Sequence, residues 1–90
     1  MIKDEQTVTL SKPINYEDKS YNELTLDLES LTGDDLINAD DGKAAVPEFS
    51  KAYLAKLAAK AAGVPEGVIR KANAKEFTEI TVMVQNFLIR

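Results

Sequence analysis

The chain has no cysteine and no histidine among its 90 residues. Without thiols there are no disulfide scaffolds, no thiol redox chemistry and no cysteine nucleophiles. Without imidazole there are no Cys/His zinc fingers and no histidine acid–base systems either. Also missing are a Walker loop, a dinucleotide-binding glycine pattern and a G-x-S-x-G elbow. The expectation is therefore a protein that is not an enzyme, with no catalytic residues and no cofactor. No apolar run approaches the roughly 18–20 residues of a membrane span. The opening Met1-Ile2-Lys3-Asp4-Glu5-Gln6 is polar and acidic, unlike a signal peptide, so a cytoplasmic chain without membrane contacts is expected. Bases are scarce as well: 11 Lys and Arg face 15 Asp and Glu, for a net charge of −4. That balance disfavours nucleic acid, whose non-specific affinity comes from phosphate neutralisation.

What is present suffices for a folded core. Leu, Ile, Val and Phe make up 24 of the 90 residues, above the ~20% below which charged chains stay disordered. The length suits a single small domain spanning residues 1–90. Charge is unevenly spread. Residues 1–45 carry eleven acids and four bases, net −7, whereas residues 46–90 carry four acids and seven bases, net +3. Such a split fits three readings: intramolecular complementarity, head-to-tail self-association between copies, or a solvated surface with chance clustering.

The pattern predicts an α+β fold, an N-terminal β-hairpin packed against three to four α-helices. Thr7-Val8-Thr9-Leu10 alternates and is β-branched, Ile14 and Tyr16 resume the alternation, and Pro13 marks an edge or a strand end. After the polar turn Glu17-Asp18-Lys19-Ser20, a second strand places Leu24, Leu26 and Leu28 on one face. The hairpin thus covers 7–28 and needs helices to cover its leucines. A short helix over 32–39 starts at Thr32 with Asp34 and Asp35 in its first turn. A helix over 48–62 opens at Pro47-Glu48, carries Phe49, Tyr53, Leu57 and Ala61 on one stripe, and ends at Gly63 and Pro65. A short helix over 65–72 precedes the last helix, 74–88, whose start reads as a capping box of Asn73 and Glu76. Its stripe is Phe77, Ile80, Thr81, Val84, Phe87 and Leu88. The expected core is Leu10, Leu24, Leu26, Leu28, Leu36, Phe49, Tyr53, Leu57, Ile69, Phe77, Ile80, Val84 and Phe87.

Two motifs invite chemistry. The acids Asp34, Asp35, Asp40 and Asp41 suggest a calcium loop. With Gly42 and Glu48 at the glycine and closing positions, however, Ile37 and Ala39 fall where oxygen ligands are required. No metal is expected. Leu57 to Ala72 has the spacing of a helix-turn-helix, with Ala59, Gly63 and Ile69 at the close-packing positions and Lys60, Arg70 and Lys71 nearby. Its reading helix would begin with Glu66 and Gly67, which are poorly suited to base edges. A small DNA-binding regulator using residues 54–72 is the alternative function. The last helix adds a different feature. Val82, Met83 and Ile89, with Leu88 at the helix end, form apolar positions outside the main stripe. A four-turn helix on so small a domain has difficulty burying them, so they are the candidate partner-binding residues. Scattered surface apolars are the competing reading.

The ordered combination of Thr7 to Ile14 with Tyr16, Tyr21 to Leu26, Leu31 to Leu36, and Phe77 with Val84-Gln85-Asn86-Phe87-Leu88 resembles the small tail assembly chaperones of long-tailed bacteriophages. The resemblance is to the tail assembly proteins of Mu-like and P2-like phages and prophages, and spans about residues 7–88. It implies a chaperone of the tape measure protein, a very long helical partner kept soluble until tail tube protein polymerises around it. It also implies absence from the finished virion. It brings no catalytic or ligand residues, and residues 38–48 take no part in it.

Overall fold

The computed structural model describes residues 5–40, Gly42 and residues 50–89. Two antiparallel strands, β1 (Glu5–Tyr16) and β2 (Lys19–Asp27), form the N-terminal hairpin. A 3-10 turn at Leu28–Ser30 follows, then four helices: α1 (Gly33–Ala39), α2 (Lys51–Ala62), α3 (Glu66–Arg70) and α4 (Ala74–Ile89). The expected hairpin-and-helices architecture is the one observed. Leu28 is buried as expected, but from the 3-10 turn rather than from the strand.

The hairpin closes in two residues. Glu17 and Asp18 have φ of 48° and 69°, the left-handed pair that matches the twist of the strands. Lys19 and Ser20 belong to β2 rather than to the turn. Pairing runs in register from Glu5↔Asp27 to Thr9↔Glu23, breaks, and resumes at Ile14↔Tyr21. Four residues of β1 then face the single Asn22. Pro13 lies in this bulge, where its missing N–H costs no ladder bond. It marks neither a strand end nor a paired position. Val8, Leu10, Ile14, Leu24 and Leu26 point inward, while Thr7, Thr9, Glu23 and Thr25 face out.

α2 is the central helix. It packs against β2, the 3-10 turn, α1, α3 and α4. Tyr53, Leu54, Ala55, Leu57, Ala58, Ala59 and Ala61 are all buried, so burial extends well beyond the predicted stripe. The alanines explain this: small side chains let neighbouring backbones crowd round one helix. The helix begins later than the sequence suggests. Ser50 is extended, with φ −87° and ψ 122°, and its Oγ accepts the Tyr53 N–H at 3.4 Å. It therefore caps a helix starting at Lys51. The proposed opening at Pro47-Glu48 and the core assignment of Phe49 lie outside the described residues. At the other end Gly63 is left-handed, with φ 70°. Val64 N bonds Ala59 O at 3.1 Å and Gly63 N bonds Lys60 O at 3.2 Å, a Schellman closure.

The core is completed by Val68, Ile69, Ile80 and Val84, all with no exposed surface. Leu36, Phe77 and Phe87 are only partly buried, packed on its rim. These three positions correct the expected core, which instead gains Val8, Ile14, Leu54 and Val68.

Candidate partner-binding surface

The orientation of α4 is set by its first turn. Asn73 Oδ1 accepts the Glu76 N–H at 2.8 Å, the cap expected from the sequence. The Glu76 carboxylate does not reach back to Asn73. It accepts the Ser11 backbone N–H at 2.7 Å, across to the bulge of β1. Asn73 Nδ2 also donates to Ser11 Oγ at 3.3 Å. The expected capping box is therefore half formed, its glutamate diverted into a tertiary bond. The reason is the bulge, which leaves Ser11 N without a strand partner and turned toward α4. Glu76, 9% exposed, is one of the two buried polar side chains among the described residues. The capping box forms instead on α1, where Thr32 Oγ1 accepts from Asp35 N at 3.3 Å and Asp35 Oδ2 accepts from Thr32 N at 2.9 Å.

With its start fixed, α4 turns Ile80, Thr81 and Val84 into the core. Thr81 is accommodated because its hydroxyl donates to Thr78 O at 3.1 Å. Of the candidate partner-binding residues, Val82 is 41% and Ile89 56% exposed. Met83 and Leu88 are half-buried and pack on the core margin. The four residues therefore divide into two outward anchors, seven positions apart on one side of the helix, and two that join this strip to the interior. Neither Val82 nor Ile89 lies in the core under the hairpin. One large apolar residue is more exposed than either: Ile37 of α1, at 71%. Leu36 and Ala39 take the inward face of that short helix, which leaves Ile37 off it. That offset is legible in the sequence, though the sequence reading did not use it.

The helix-turn-helix reading fares poorly in three dimensions. α3 spans only five residues. A Cβ placed on Gly67 would collide with the Tyr16 ring, so the start of the supposed reading helix lies against the hairpin tip. Arg70, meanwhile, is held by Glu66 at 2.6 Å. Among the described residues no group of three or more Asp, Glu, His or Cys could hold a metal ion, and no helix is long and apolar enough to cross a membrane.

A hairpin laid over a crowded central helix, with an outward apolar strip on the last helix, defines a small α+β domain with a candidate docking surface. The family of phage tail assembly chaperone proteins, E, or 41 or 14, matches residues 7–89, and the chain belongs to that family. Searches among curated proteins and among solved structures return no match.

Proposed function

We propose that the chain binds the tape measure protein of its phage or prophage and keeps it soluble during tail assembly, docking it on α4 through Val82 and Ile89 with Met83 and Leu88 at the margin. Family membership supplies the tail assembly role. The observation that carries the docking site is the pair of anchors on a helix whose opposite side is already consumed by the core. Helical partners are read through anchors at this spacing. The half-buried Met83 adds a flexible, polarizable side chain that adapts to varied sequences. Each copy offers two aliphatic anchors, so holding a long partner rests on many weak contacts in a row. The task is binding, and no reaction is assigned. It would be performed in the cytoplasm of the host, before tube protein closes around the tape measure protein, leaving the chaperone out of the virion.

Co-expression with the tape measure protein tests this reading. Soluble tape measure protein is expected to rise with the chain present and to co-purify with it. An insoluble partner whether or not the chain is present would reject the role.

A further inference from the structure

We propose that copies of this chain associate head to tail, with the exposed Ile37 of one copy seated in an alanine-lined cavity between α2, α3 and α4 of the next. Such a contact does not depend on which tail protein the chain binds. The cavity has a volume of about 530 Å³, and its walls are Ala52, Ala55, Ala72, Ala74 and Phe77. Four alanines and the side of a half-buried ring make an apolar recess with no bulky side chain inside it. Its rim is cationic. Lys51 lines it, as does Arg70, whose charge is already paired with Glu66 at 2.6 Å, and Lys71 and Lys75 flank the same α3–α4 junction. Among the described residues Lys51, Lys71 and Lys75 have no ion-pair partner.

The complementary shape lies on α1. Ile37 projects with 71% of its surface exposed. Asp34 stands three positions before it on the same helix side, whereas Asp40 is the extended residue that follows the helix, its carboxylate accepting the Gly42 N–H at 2.8 Å. Both are exposed. Asp35 is turned the other way, toward Lys60 of its own chain at 3.9 Å. An apolar knob beside the Asp34 carboxylate thus matches an apolar recess beside the Lys51 ammonium. The occupant is a second copy because the same molecule cannot bring the two together. α1 lies over Lys56, Leu57 and Lys60, whereas the recess opens beside Lys51, Ala52 and Ala55. These two sites are centred about 7.5 Å apart along α2 and roughly 0.4 of a turn apart around it. Knob and recess are different patches, so the contact is heterologous and each copy keeps one free end, which builds rows or rings rather than closed dimers. The uneven distribution of charge between the two halves of the sequence acquires a purpose here.

The test uses two variants and their mixture, followed by sedimentation. Ile37→Lys removes the knob and places a cation against the cationic rim. Lys51→Glu with Ala74→Glu fills and reverses the recess, at first-turn positions where helix dipoles favour acids. Wild-type chain is expected to self-associate at low salt and to dissociate as salt screens the rim. Each variant alone is expected to associate at least tenfold more weakly with an unchanged thermal midpoint. Their equimolar mixture is expected to form a two-chain species that grows no further, since one copy keeps its recess and the other its knob. Should the recess double variant fail to fold, Thr78→Glu at the same cavity serves in its place. A wild-type chain that stays monomeric at low salt, variants that associate as well as wild type, or a mixture no stronger than its components would each overturn the proposal.

Discussion

Individual side chains carry more of this fold than their types suggest. Ile80 is fully buried whereas Phe77 keeps one flank open, so the aromatic residue is the less costly one to lose. Ile80→Ala is expected to destabilise by about 2–5 kcal/mol and Phe77→Ala by about 2 kcal/mol, read from urea midpoints. A larger loss at Phe77 would mean that the ring is buried. Glu76 gives a second comparison at this scale. Glu76→Ala leaves the Ser11 N–H without an acceptor, at an expected cost of about 1–3 kcal/mol. Glu76→Gln keeps an acceptor oxygen there and is expected to lose well under half of that. Equal losses for the two variants would show that charge rather than the hydrogen bond matters. Nothing in the sequence marks Glu76 as a tertiary residue, because Asn-x-x-Glu before an apolar stripe also specifies a local box. Only the bulge, which offers an orphan N–H within reach, separates the two outcomes.

Among the elements, the hairpin carries a local conflict. Glu17 and Asp18 occupy left-handed backbone at a cost of about 1–2 kcal/mol per residue for ordinary L side chains. Replacing them by Asn-Gly, the pair that this turn prefers, is expected to raise stability by about 1 kcal/mol in a thermal melt. A neutral or lower midpoint would argue against this turn geometry. Helix ends and strand faces were largely readable in the sequence, since each rests on local chemistry. Leu24 and Leu26 alternate with polar residues, Gly63 closes α2, and Asn73 opens α4. What was not readable depends on contacts distant in sequence. The Ser50 hydroxyl caps α2 at the Tyr53 N–H, so α2 starts at Lys51, while the expected opening at Pro47-Glu48 lies outside the described residues. Ala55, Ala58 and Ala59 are buried because five neighbouring elements converge on α2, a convergence that no local pattern shows. Of the two expectations for Pro13, an edge or a strand end, the edge holds in a two-stranded sheet and the strand end does not, because a bulge long enough to hold it cannot be seen from one strand alone. The candidate surface was legible in part. Val82 and Ile89 fall off the core stripe by simple periodicity, but that Met83 and Leu88 are half-buried depends on how α4 is pinned to β1.

For the whole molecule, the question is whether the strip on α4 serves the tail assembly role that family membership assigns. Val82→Ser with Ile89→Ser alters two exposed side chains and leaves the buried face of Ile80, Thr81 and Val84 untouched. Surface changes of this kind usually stay within about 0.5 kcal/mol each, so the double variant is expected to fold with nearly the wild-type midpoint. Burial of two such side chains against a partner contributes about 3–5 kcal/mol before association costs, which is the whole of a weak, repeated contact. The most direct measurement is therefore the soluble yield of tape measure protein co-expressed with the double variant, set beside the thermal midpoint of that variant. The account predicts an unchanged midpoint and a soluble yield that falls to the level seen without any chaperone. Full retention of soluble tape measure protein by a folded double variant would contradict it.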